Sequence, residues 1–293
     1  MSDQLSDLVI DWTEVDREVL AEVAAGIPPR RYRVSAPFDV LDIRPGEMIL
    51  LGGPPGKGKT AALMQIVVDM LAMNPDIQLL VANVEMVPKQ LHRRILSRLS
   101  GVPLTTIRDN DRSCYDRLRA VSESYQGVYR RMLAMKGPFT GERLLATAKA
   151  TGADVILVDY VQRFKGDPAQ DSRLQLDGLL AALRELCSCG AAILAAAAVS
   201  RQSGQTGSDY ENLGLASFRG SSELEFACDQ AYVIGSIDAD HLQFRCEKNR
   251  EGDLLSIDTR FDRPIQTFTP ASIGTSDDDI AEVIAKIRTG GKQ

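Results

Sequence analysis

The stretch Met48-Ile-Leu-Leu-Gly-Gly-Pro-Pro-Gly-Lys-Gly-Lys-Thr60 decides how the rest of the chain is read. Within it, Gly53, Pro54, Pro55, Gly56, Lys57, Gly58, Lys59 and Thr60 spell G-x-x-x-x-G-K-[ST], the phosphate-binding P-loop. Glycines without a Cβ let the backbone bend tightly and aim its N–H groups at phosphate oxygens. A helix starting near Lys59 adds the positive end of its dipole. In such a loop the Lys59 ammonium reaches the β- and γ-phosphates of a bound ATP, and the Thr60 hydroxyl sits on Mg²⁺. The flanks suit this reading. Met48–Leu51 is an apolar run fit for a buried strand, and Ala61, Ala62, Leu63, Ile66, Val67, Met70 and Leu71 recur at helical spacing.

With 293 residues and 44% hydrophobic content, the chain can build a full globular core in one large domain or two small ones. No apolar run approaches the ~20 residues of a membrane helix, and the first residues are polar and acidic, unlike a secretory signal. These features suggest a cytoplasmic protein without a membrane partner. Cys114, Cys187, Cys189, Cys228 and Cys246 are scattered, and no zinc-ligand spacing links them to His92 or His241. Reduced thiols are the simpler expectation. A net charge of −6 argues against a general coat for polyanions. Nucleic acid held by a few local contacts in a ring channel remains compatible with it.

Residues 1–35 read as an arm, 36–275 as an ATPase core, and 276–293 as a C-terminal helix and tail. In the arm, Thr13 is expected to cap a helix with Asp16 as its capping partner. Val15, Val19, Leu20 and Val23 form one apolar stripe, to be docked on the chain's own core or on a neighbouring subunit. The core alternates strand and helix, which predicts an α/β fold with a mostly parallel sheet flanked by helices. The expected strands are 48–51, 78–84, 155–159 and 191–199. The expected helices are 59–73, 88–99, 115–135, 141–150 and 172–187. Four short segments, 231–237, 242–248, 254–260 and 265–269, predict antiparallel strands added at the sheet's C-terminal edge. Gln202 to Ser217 is rich in Gly, Ser, Thr and Gln and reads as a loop.

Two acids at strand ends complete a site. Val155-Ile-Leu-Val-Asp159 has the form of a Walker B strand, whose carboxylate emerges beside the P-loop and helps hold Mg²⁺. Leu79-Leu-Val-Ala-Asn-Val-Glu85 places a second carboxylate at a strand end, where it can take a proton from attacking water. An exposed strand-end acid is the rival reading of Glu85.

Gly53–Thr60, Asn83-Val-Glu-Met86, Val158-Asp-Tyr-Val-Gln162 and Glu247-Lys-Asn-Arg250 fall in the order found in RecA-fold ATPases of the DnaB-like replicative helicase family. Gly26-Ile27-Pro28 also resembles that family's lead-in. The resemblance covers about residues 26–270, the family's C-terminal motor domain, and implies a RecA-like P-loop NTPase fold. It implies Lys59 and Thr60 as nucleotide and Mg²⁺ ligands, Glu85 as catalytic base and Asp159 as the Walker B acid. It also implies that Lys248 and Arg250 form a Lys-x-Arg pair reaching the γ-phosphate bound by the next subunit. Phe218-Arg-Gly-Ser-Ser-Glu-Leu-Glu225 resembles the family's DNA-backbone loop, with Arg219, Gly220 and Ser221 offered to phosphates. Solvated surface is the competing reading there.

The implied assembly is a homo-oligomer, a hexameric ring on single-stranded DNA, with a loader or replication protein as a further partner. Three departures stand out, one being the rearranged small-residue pattern of Gly220 and Ser222 in the backbone loop. One short arm replaces the family's N-terminal collar domain. Ala198 occupies the strand-end position where the family carries a polar sensor, usually Gln, and a methyl group cannot bond phosphate. A DnaB-like ATP-dependent DNA helicase is therefore the leading expectation. A regulatory RecA-fold ATPase without strand-separating activity is the alternative.

Overall fold

The computed structural model describes residues 10–165, 172–199, 214, 217, 218 and 221–271. The expected C-terminal helix, most of the loop 202–217, and the residues Arg219 and Gly220 lie outside these. The chain divides into a first unit ending at Arg31 and a second beginning at Tyr32. In the first, α1 spans Trp12–Ala25. Its N-cap is Asp11, whose carboxylate accepts from Thr13 N–H, so the cap falls two residues before the expected Thr13. Gly26 closes the helix in the left-handed conformation that favours glycine.

The second unit carries strands β1 (Met48–Gly53), β2 (Leu79–Asn83), β3 (Met132–Ala134), β4 (Val155–Asp159), β5 (Ala192–Ala198), β6 (Gln230–Ser236), β7 (His241–Asn249), β8 (Ile257–Asp262) and β9 (Thr267–Pro270). Its helices are α2 (Lys59–Met73), α3 (Pro88–Ser100), α4 (Leu104–Arg108), α5 (Tyr115–Ser124), α6 (Gln126–Tyr129), α7 (Gly141–Thr151), α8 (Ser172–Ser188) and α9 (Ser221–Ala227). One sheet runs β3-β2-β4-β5-β1-β6-β7-β8-β9. Pairing is parallel from β3 to β6 and antiparallel from β6 to β9.

Strand alternation builds two cores. Ile49 and Leu51 of β1 join Val81, Val155, Leu157 and Leu194 on the face covered by α2. Met48 and Leu50 join Leu80, Ile156, Val158 and Ile193 on the face covered by α7 and α8. Burial on both faces explains why these strands read as continuous apolar runs. Because β4 and β5 lie between β1 and β2, the chain reverses direction across the sheet beside β1. A crevice opens there at the strands' C-terminal ends.

The expected helix 115–135 is not continuous. It ends in α5 and α6, and Met132–Ala134 becomes β3, paired with Leu79–Val81 of β2. Arg131 donates to the carbonyls of Asn74 (2.8 Å), Ile77 (3.1 Å) and Leu71 (2.5 Å), tying the chain to the end of α2. The unpaired edge of β2 and these carbonyls outweigh the local helical pattern, a tertiary override of propensity. The short helices α4 and α9 leave no clear sequence signal for a related reason: five and seven residues carry too little periodicity.

Candidate active site

The P-loop leaves the C-terminal end of β1 and turns into α2. Gly56 and Gly58 have φ of 76° and 82°, the left-handed region. At Gly58 a Cβ would stand 2.9 Å from Phe268 and 3.0 Å from Phe261, so glycine is required for space as well as for conformation. Those two rings stack at 4.3 Å, and they come from β9 and β8. The antiparallel extension therefore buttresses the loop.

Around the loop lies a cavity of about 490 Å³, walled by Gly53, Pro55, Gly56, Gly58, Lys59, Thr60, Glu85, Arg94, Asp159, Ala198 and Arg263 among others. Lys59 Nζ donates to the carbonyls of Gly53 at 2.7 Å and Pro54 at 3.0 Å. Burial pushes the lysine below its ordinary pKa, with the Asp159 and Glu85 carboxylates pulling it back up. Lys57 donates instead to the Ser236 hydroxyl, 2.6 Å away.

Asp159 ends β4 only 2% exposed. Its Oδ2 accepts from Thr60 Oγ1 and from Asn83 Nδ2, both at 2.7 Å. Burial raises its pKa, the Thr60 hydrogen bond lowers it, and the Glu85 charge raises it further. Asn83 also accepts, through Oδ1, from the N–H groups of Glu85 (3.0 Å) and Met86 (2.7 Å). One amide thus fixes the turn that presents Glu85 and the carboxylate that faces Thr60. The exposed Glu85 lines the same cavity.

Ala198, at the end of β5, also lines this cavity. The Gln162 side chain holds it from both sides, accepting from Ala198 N–H at 2.9 Å and donating to Ala198 C=O at 3.3 Å. The strand end is thus anchored through its backbone.

Lys248 and Arg250 are not in this cavity. They lie where β7 ends, beside the start of β1 rather than its P-loop end. Lys248 Nζ donates to the carbonyls of Glu225 and Cys228, and Arg250 to Asp229 and the Phe226 carbonyl. Ser221 opens α9, while Arg219 and Gly220 fall outside the described residues.

The sequence profile of the DnaB-like helicase C-terminal domain matches residues 40–270, well over half of the chain. The chain belongs to that family. No curated protein sequence matches it. Among solved structures, it is similar to an ATPase domain at 17% identity and a TM-score of 0.75, covering 89% of this chain and 99% of that one. It is also similar to a DnaB-like replicative helicase at 17% identity and a TM-score of 0.73, over 90% of this chain and 67% of that one. The RecA-like fold expected from the sequence is borne out, as are the DnaB-like helicase assignment and ATP-dependent activity. The regulatory alternative finds no support in these likenesses.

Several residues of this helicase domain's cavity were not read from the sequence. Arg94 of α3 lines the cavity, is bonded to Gln266, and has its pKa lowered by burial. Its signal was a cation beside the buried Leu91 and Ile95 on an amphipathic helix. Arg263 donates to Gly56 C=O at 3.0 Å and lies 5.3 Å from the centre of the Phe261 ring. No local pattern marks Arg263, because hairpin pairing of β8 with β9 brings it to the loop.

Proposed function

We propose that the cavity binds and hydrolyses ATP as the motor site of an oligomeric DnaB-like helicase acting on single-stranded DNA. The observation that carries this is the meeting of Thr60 and Asp159 at 2.7 Å, at the mouth of a P-loop whose lysine points into the same space. Hydroxyl and carboxylate oxygens suit a hard divalent cation, and among the described residues no Cys or His lines the cavity. Thr60 and Asp159 would hold Mg²⁺, which when bound neutralises charge on the β- and γ-phosphate oxygens.

The loop glycines and Lys59 bind the phosphates. Lys59 exchanges two loop carbonyls for anionic oxygens, an exchange that favours its charged form. Glu85 accepts a proton from the water that attacks the γ-phosphorus as the bond to the β-phosphate oxygen breaks. Lys248 and Arg250 act on the site of the next subunit. Their place beside the start of β1 supports this, since the P-loop leaves the same strand about 16 Å away at roughly 3.3 Å of rise per residue.

Action in trans requires a homo-oligomer, and we assign a hexameric ring. Arg219, Gly220 and Ser221 would contact the DNA backbone. Residues 1–35 serve as an arm, 36–275 as the core and 276–293 as a C-terminal helix and tail. The unburied stripe of α1 supports docking of the arm. The similar replicative helicase interacts with primase, and we extend that kind of partner, a loader or replication protein, to this chain. No described helix is long and apolar enough to cross a membrane, in keeping with a cytoplasmic place of action.

ATP turnover with and without single-stranded DNA, alongside native mass, tests the reading. Stimulated turnover by a hexamer is expected. A monomer whose turnover ignores DNA would overturn it in favour of a regulatory ATPase.

A further inference from the structure

Asp229 sits between two distant parts of the chain and is bonded twice to each. Toward β1, its N–H donates to Met48 C=O at 2.9 Å, and its Oδ2 accepts from Met48 N–H at 2.8 Å. Toward the end of β7, its C=O accepts from Arg250 N–H at 3.1 Å, and its Oδ1 accepts from Arg250 Nη1 at 2.8 Å. Arg184 Nη1 stands 3.6 Å from the same carboxylate. The Asp229 side chain is 14% exposed and that of Arg250 46%, so a half-open guanidinium is gripped by a largely buried anion.

A second grip completes the arrangement. Arg250 Nη2 donates to Phe226 C=O at 2.7 Å, and Lys248 Nζ donates to the carbonyls of Glu225 and, at 2.7 Å, Cys228. These carbonyls belong to the last turn of α9 and the residues after it, the negative end of that helix. Both cations are therefore held by fixed acceptors on one short segment. An exposed arginine on a free stem would have to be ordered anew at each encounter with a phosphate. One immobilised beforehand meets the γ-phosphate with little entropy left to lose.

We propose that Asp229 is a positioning residue for Arg250, holding the guanidinium in the orientation in which it reaches the neighbouring subunit's γ-phosphate. The inference rests on the reading of Arg250 as a residue acting in trans. Through Met48, the same carboxylate fixes that orientation to the start of the strand whose other end carries the P-loop. Asp229 does not line the P-loop cavity, and its effect on turnover runs through Arg250.

The test is a double-mutant cycle of Asp229→Asn and Arg250→Ala in the assembled protein, read as kcat and KM for ATP at constant native mass. Asp229→Asn is expected to lower kcat by about 10- to 100-fold with KM nearly unchanged. In the Arg250→Ala background it is expected to add no further loss. A wild-type kcat for Asp229→Asn beside a crippled Arg250→Ala would overturn the positioning role and leave the trans reading intact. So would losses that multiply, because the aspartate would then be acting through Met48 and general packing. Full turnover by Arg250→Ala would remove the trans reading, and this inference with it. Should Asp229→Asn fail to assemble, Asp229→Glu takes its place in the cycle under the same criteria.

Discussion

At the C-terminal end of β1 the chain builds a cavity from its own neighbours in sequence: a glycine loop, a lysine and a threonine, joined by two acids from adjacent parallel strands. At the start of the same strand it builds a cationic site out of β7, α9 and Asp229. The first end gathers the phosphate loop, Lys59, Thr60 and two carboxylates around one cavity. The second end has two cations held by backbone carbonyls and the Asp229 carboxylate, apart from the residues that line the cavity. If Lys248 and Arg250 act in trans as proposed, a strand with the phosphate loop at one end and these cations at the other is suited to head-to-tail assembly, in which each subunit completes the next.

That contrast can be broken most directly by separating the two ends. Arg250→Ala is expected to lower turnover by about 10³- to 10⁵-fold, the range of measured arginine fingers. Mixing it with Lys59→Ala subunits is expected to restore part of the activity, because some interfaces then pair an intact P-loop with an intact Arg250. Mixtures as inactive as their components would place both ends in one subunit's site. Glu85→Gln should reduce kcat by about 10²- to 10⁴-fold while nucleotide binding, followed by a fluorescent analogue, persists. Loss of binding instead would show that Glu85 holds the loop rather than the water.

A smaller effect sharpens the structural side of the comparison. Gly58→Ala combines a left-handed φ with contacts at 2.9 Å to Phe268 and 3.0 Å to Phe261. A cost of about 1–3 kcal/mol in the denaturant midpoint is expected. An unchanged midpoint would mean the aromatic buttress yields freely.

The smallest effect is a pH slope. Burial raises Asp159 above its ordinary value of 3.8, so the folded state holds that proton more tightly than the unfolded chain. Its contribution to the nucleotide-free protein is therefore fully present below 3.8 and lost as pH rises through the elevated value. Asp159→Asn should flatten that part of the stability profile, measured by denaturation across the acid range. Parallel profiles for the two proteins would contradict the raised pKa.

Much of the first end was legible in the residues. The P-loop, the strand ending in Asp159 and the helix 59–73 are local patterns, and the structure forms them where the pattern lies. Arg94, Arg263 and Phe261 were not legible as part of the cavity. Each enters through a helix face or a hairpin that only tertiary pairing brings to the loop. The break in the expected helix 115–135 has the same origin, since Met132–Ala134 pairs with an edge of β2 that lies some fifty residues earlier in the chain.

The sequence by itself determined the phosphate-binding loop, its two acids, the alternating α/β pattern and the family, because backbone turns, strand burial and carboxylate placement are written within a few residues of each other. Tertiary structure decided that Lys248 and Arg250 stand beside the start of β1, that Asn83 joins Glu85 to Asp159, and that Asp229 clamps Arg250 to Met48. Those contacts join residues 76 to 181 positions apart in two of the cases. Only the closing of the sheet, with its strand order and register, brings such residues within hydrogen-bonding distance.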